Sequence, residues 1–172
     1  SAEGAPVAPV TGGLCVGCSL QTGARVIDEF PATFGTLIAP VQLSNDSIIG
    51  ARVTAGNNGT YTLPFASGNN AGFVIGRPVG LLSAQVLDRL QVSTLRNGVV
   101  QETKVGRAEL SLDLLGRQLD LLGNSSDVGL VSIQTSVPYD AIQITIPGGV
   151  AQVLDDLRVF QACGTTTPPV QP

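Results

Sequence analysis

The chain reads as an all-β protein, a two-layer antiparallel β-sandwich with extended N- and C-terminal arms. Three observations lead there. Short apolar runs of strand length recur along the 172 residues, with 21 Gly and 11 Pro spread between them as turn punctuation. Asn97-Gly98, a strong two-residue hairpin signal, sits between two such runs. Lastly, Ala84-Gln85-Val86-Leu87-Asp88-Arg89-Leu90-Gln91-Val92 returns as Ala151-Gln152-Val153-Leu154-Asp155-Asp156-Leu157-Arg158-Val159, identical at seven of nine positions. Each copy follows a Pro/Gly break, and each break follows an apolar run, Phe73-Val74-Ile75 or Ile142-Gln143-Ile144-Thr145-Ile146. The unit therefore reads as strand, loop, strand, used twice, with Leu90, Val92, Leu157 and Val159 pointing into one core. Two copies are too few for a solenoid, which needs about three. They suit two equivalent places in a sandwich.

Taken in order, residues 1–13 lack a core pattern, and Pro6 and Pro9 favour an extended arm. Residues 164–172 form a similar Pro/Thr-rich tail, which leaves 14–163 as the sandwich domain. Such arms become ordered only when something holds them, either a neighbouring subunit or the domain's own surface. The neighbour is the holder expected here. Strands are predicted at Val26–Phe30, Ile48–Val53, Thr60–Phe65, Gly72–Arg77, Leu90–Arg96, Val99–Val105, Val128–Ser136, Ala141–Ile146 and Leu157–Gln161. Gly56-Asn57-Asn58-Gly59 suits a second hairpin turn.

One region is ambiguous. Leu112, Leu115, Leu119 and Leu122 form a helical stripe, whereas Leu110, Leu112 and Leu114 alternate as a strand would. Gly116 weakens a continuous helix. The pattern predicts a strand over 108–114, then a leucine-rich loop or short helix as a lid on the core. Leu82, Val86 and Leu90 likewise suit a single helical turn.

Composition excludes several classes. Apolar residues make up 43% and charged ones 13%, which places the chain far from the disordered class. A net charge of −4 with a single lysine, Lys104, argues against a nucleic-acid surface. No apolar run approaches the roughly 18–20 residues of a membrane span. Ser1-Ala2-Glu3-Gly4 lacks the blocks of a signal peptide and suits a mature start left after cleavage. Histidine is absent, and with it the usual general base and the commonest zinc ligand.

Cys15 and Cys18 precede the first strand candidate, and Cys163 ends the last. A staple between the chain ends is the favoured reading. It would stabilise by about 5 kcal/mol at most in the chain-entropy model and implies an oxidising, extracytoplasmic compartment. The cysteine left over is a free thiol or a link to another chain. The alternative, a structural metal on all three thiols, needs a fourth ligand. Cys15-Val16-Gly17-Cys18 is no haem-attachment site, because Ser19 stands where histidine is required.

Three segments resemble the discoidin-type domains of the galactose-binding-like jelly-roll superfamily. They are Ala24-Arg25-Val26-Ile27-Asp28-Glu29-Phe30-Pro31-Ala32-Thr33-Phe34, Pro138-Tyr139-Asp140-Ala141-Ile142-Gln143-Ile144 and Leu154-Asp155-Asp156-Leu157-Arg158-Val159-Phe160. Glu29 stands where that family has glycine and Phe34 where it has tryptophan, and no arginine precedes Tyr139. The resemblance implies a jelly-roll fold, secretion, and a cysteine pair tying the ends, Cys15 or Cys18 with Cys163. The leucine-rich repeats and the cysteine-containing start are also similar to β-sandwich domains of secreted bacterial surface proteins.

No cluster of residues demands an enzyme, and no cofactor is expected beyond calcium. Asp28, Asp155 and Asp156, with Asp88 or Asp140, offer oxygen ligands for that ion, which takes six to eight. Capping of turns through backbone N–H bonds is the stronger expectation for these aspartates. Lys104 is expected on a solvated outer strand face. Phe30, Phe34, Phe65, Phe73 and Phe160 sit in apolar runs as core, leaving Tyr61 and Tyr139 as the aromatic candidates for a sugar platform. Asn45, Asn58 and Asn124 begin N-glycosylation patterns, which matter only in a eukaryote.

Two functions compete. The first is a non-enzymatic extracellular structural protein that self-associates into a surface layer, fibre or matrix. Its contacts would be sheet edges and the arm Ala5-Pro6-Val7-Ala8-Pro9-Val10. The second is an adhesion or carbohydrate-binding module, in which Asn57, Asn58, Asn69 and Asn70 on loops at one end of the sandwich contact a glycan or a cell-surface protein.

Overall fold

The structure, a computed structural model, describes residues 7–12, 15–16, 19–21, 35–38, 41–42, 48–55, 63–77, 84–119, 125–147 and 157–164. Its elements in chain order are β1 (Val7–Gly12), β2 (Cys15–Val16), β3 (Ser19–Gln21), β4 (Gly35–Ile38), β5 (Val41–Gln42), β6 (Ile48–Thr54), β7 (Asn70–Arg77), α1 (Ala84–Arg89), β8 (Gln91–Arg96), β9 (Val99–Val105), α2 (Gly106–Glu109), β10 (Ser111–Leu119), β11 (Ser125–Gln134), β12 (Ala141–Pro147) and β13 (Leu157–Gly164). One sheet has the order β1-β6-β12-β8-β9 and the other β10-β11-β7-β13-β4-β3, with β2 and β5 paired separately. Every pairing between these strands is antiparallel. The chain is an all-β sandwich.

The internal repeat explains how the two layers are joined. In the first copy, β7 of the six-stranded sheet leads through α1 into β8 of the five-stranded sheet. In the second, β12 of the five-stranded sheet precedes β13 of the six-stranded one. The copies therefore cross between layers in opposite directions. The leading strand of each pairs with the closing strand of the other, β7 with β13 and β12 with β8. Leu90, Val92, Leu157 and Val159 are all 0% exposed and share one core cluster. That cluster draws Ile49, Val53, Ile144 and Ile146 from one sheet and Phe73, Ile75, Val131 and Ile133 from the other. The expected loop of the first copy is a helical turn that buries Val86.

Three further expectations are corrected. The leucine-rich stretch is strand, not lid, as far as Leu119, and residues 120–124 lie outside the described residues. α2 comes first, and β10 then runs to Leu119, with a bulge between Leu114 and Gly116 that restores its pairing with β11. A bulge inserts a residue without ending the strand, so a helix-like leucine spacing survives in an extended chain. Residues 7–12 of the arm, in turn, are held by the domain itself, since Val7–Gly12 pairs with β6 along its whole length. Finally, Cys163 is a free thiol, so the staple to Cys15 or Cys18 is not formed.

The hairpin at Asn97-Gly98 is present, with φ of 51° and 78° at the two central residues, the left-handed pair that matches strand twist. Val26–Phe30 and the turn at 56–59 lie outside the described residues. Of Thr60–Phe65, residues 60–62 lie outside too, and Phe65 makes a single bridge to Tyr139.

Within the core one polar atom stands out. Thr94 stands opposite Ile142, is 0% exposed, and its Oγ1 has no hydrogen-bond partner. A buried hydroxyl without a partner destabilises, and valine has the same shape without it. Thr94→Val is expected to stabilise the fold by about 1 kcal/mol, read as a higher urea midpoint at unchanged slope.

Candidate functional site: the open edges of the five-stranded sheet

Residues directly opposite in antiparallel strands share a face, so the registers arrange this sheet in rows. Two rows face the core: Val7, Val53, Ile142, Thr94, Glu102, and Pro9, Ala51, Ile144, Val92, Lys104. Each begins on β1 and ends on a charge at β9. A third row, on the outer face, runs Ala8, Arg52, Gln143, Ser93, Thr103. From Arg52 onward it is polar and internally bonded. Arg52 Nε donates to Gln143 Oε1 at 2.9 Å, and the Ser93 and Thr103 hydroxyls lie 2.8 Å apart.

β1 and β9 close this sheet, and among the described residues each keeps one side unpaired. β1 carries no charge. Its Ala8 and Pro9 are exposed, and Val7 packs against the core. Proline belongs on such an edge, where no central ladder needs its missing N–H.

β9 differs. The exposed large hydrophobic residues among the described ones, Val99 at 63%, Val100 at 49% and Val105 at 38%, all belong to it. Glu102 reaches across to the loop after β11. Its carboxylate accepts from Ser136 N–H at 2.9 Å and Ser136 Oγ at 2.5 Å. Lys104 is half-buried, and among the described residues it makes no ion pair. It stands on the core-facing side, opposite Val92, and not on the expected solvated face, because a bulge at Gln101 shifts the alternation. Val105 N–H donates to Glu109 Oε2 at 2.7 Å and so points away from β8. Backbone groups turn to the same side every second residue, so Thr103 also directs its N–H and C=O to the open edge.

The residues singled out in the sequence are not brought together. Asn69 is buried, its amide donating to the Ala66 carbonyl at 3.0 Å, while Asn70 is exposed at the start of β7. Asn57, Asn58, Asp28, Asp155, Asp156, Ala5, Pro6, Phe30, Phe34 and Tyr61 lie outside the described residues, as do Cys18 and the side chain of Cys15. Asp140 caps the hairpin, its Oδ2 accepting from Asn97 N–H at 2.9 Å. Asp88 does not cap a turn. It forms a two-pronged pair with Arg107, at 2.6 and 2.9 Å, and that hydrogen bonding holds its carboxyl below the usual range. Among the described residues no group of three His, Cys, Asp or Glu could hold a metal ion. Tyr139 is 3% exposed and lies 5.2 Å from the Phe65 ring, so it is no open platform, and burial pushes its phenol up to about 12. Burial also pushes the Cys163 thiol up, as its side chain packs beside Val74, Val128 and Phe160.

The polar outer row was not legible in the sequence. Arg52 and Gln143 are 91 positions apart, and only the register makes them neighbours. The available signal was Gln143 alternating with Ile142 and Ile144, which marks an outward face without naming its partner.

No helix among the described residues is long and apolar enough to cross a membrane. No family model, curated protein or solved structure matches this chain.

Proposed function

We propose that this chain is a non-enzymatic structural module of an extracellular layer, fibre or matrix, and that it assembles through its N-terminal strand and sheet edges. The observation that carries this reading is the position of β1. It is uncharged, and among the described residues it is paired along one side only, to β6. Releasing it breaks one ladder and the contacts of Val7 with the core. Placing it on β6 of a neighbouring copy restores the same ladder. Such an exchange is close to neutral in contacts and, where the rotation does not close, generates an open polymer. The discoidin-type jelly-roll resemblance and the low charge support the extracellular placement.

Deleting residues 1–12 tests it. Light scattering after size exclusion should lose the species larger than a dimer, and electron micrographs should lose filaments or sheets. Because β1 also covers β6, the deletion is expected to lower stability as well. A peptide of residues 1–12 added to the full chain supplies the second arm, competing for β6 and shortening assemblies. Assemblies that persist unchanged through both manipulations would sink the proposal.

A further inference from the structure

We infer that the open edge of β9 pairs with β9 of a second copy about a two-fold axis at Thr103, Glu102 of each copy facing Lys104 of the other. This rests on the reading that the chain works by self-association and names a contact for it distinct from β1.

A two-fold axis joining two antiparallel edge strands stands normal to the sheet. A residue of the core-facing side therefore meets another of that side. Glu102 and Lys104 share that side, opposite Thr94 and Val92. With Glu102 on the axis, two carboxylates meet. With Lys104 there, two ammonium groups do. With Thr103 on the axis, each charge meets its opposite, twice. Opposite charges directly across a strand pair attract and like charges repel, so the sequence of this edge selects one register.

Two further features agree. Thr103 turns its N–H and C=O outward, so the central pair can exchange two backbone hydrogen bonds. The outer row ending Gln143, Ser93, Thr103 then continues through the axis into the same row of the second copy. Val105, which is exposed, comes opposite Gln101. Because Glu109 already holds the Val105 N–H, the backbone ladder stays short and the contact is reversible. Charges on an edge strand discourage pairing with arbitrary edges. Against its own copy, this pattern matches, which makes the two charges a device of specificity.

Sedimentation velocity over about 1 µM to about 1 mM protein tests it. The wild-type chain should dimerise reversibly, and less so at high salt. Lys104→Glu sets carboxylates against each other and should weaken the dimer by at least about tenfold. Glu102→Lys should do the same with the opposite sign, and an equimolar mixture of the two variants should recover dimer. Glu102→Lys also loses the bonds to Ser136, so its fold is checked by circular dichroism. Should it fail to fold, Lys104→Gln replaces it, with a weakening milder than that of Lys104→Glu. A wild-type chain monomeric at every concentration, a Lys104→Glu dimer as tight as the wild type, or a folded mixture without dimer would each overturn the inference. Arm-dependent assembly that survives those results would leave the proposed function standing.

Discussion

Replacing Phe73 with alanine is expected to cost about 3–5 kcal/mol, the largest loss among single truncations of this core. The ring is 0% exposed on β7, which is paired on both sides, with Val131 opposite on one flank and Ala162 on the other. Neighbours so constrained collapse little into the space left behind, so a cavity remains and its cost adds to the lost burial. A domain holds about 5–15 kcal/mol in all, so this one change removes a large share. Urea denaturation should show a lower midpoint at unchanged slope. A loss below about 1 kcal/mol would mean that β7 is not the buried centre of the six-stranded layer.

Gly106→Ala is expected to follow at about 2–4 kcal/mol, from two causes that add. Gly106 has φ +69°, a conformation in which an L side chain crowds the following carbonyl. An added Cβ would also stand 2.5 Å from the Asp88 carbonyl oxygen, which is backbone and cannot swing aside. Gly106 N–H donates to the Leu90 carbonyl at 2.9 Å, so the residue brings the start of α2 against the end of α1. Relieving the clash would pull the helices apart and disturb the Asp88–Arg107 pair. Arg107→Ala is the control. It removes that ion pair without touching the backbone, and because both partners are half exposed it should change thermal stability little. Equal losses in the two variants would show that the ion pair, and not the glycine, joins the helices.

The two changes also show where sequence reading succeeds. Phe73 lies in an apolar run, and alternation alone marks it as core. Asn97-Gly98 declares its turn because few residue pairs tolerate two left-handed conformations. Gly106 declares nothing, since its need arises from Asp88, brought against it by the fold. The sequence puts Lys104 on the wrong face for a similar reason: a bulge at Gln101 moves every later side chain of β9 to the other face, and no local pattern announces it. The same holds for β10, where the bulge beside Gly116 lets leucines at helical spacing lie in one strand.

By itself the sequence determined the all-β class, most strand positions, the main hairpin, and the convergence of both repeat copies on one core. These follow from periodicity and turn chemistry, which act over a few residues. Tertiary structure alone decided which strands are neighbours: that the arm completes its own sheet, that the repeats cross between layers in opposite senses, that Cys163 stays free, and that the rows of the five-stranded sheet end on Glu102 and Lys104. Register is a relation between distant segments. It comes from the packing of whole faces, and neither strand of a pair records it alone.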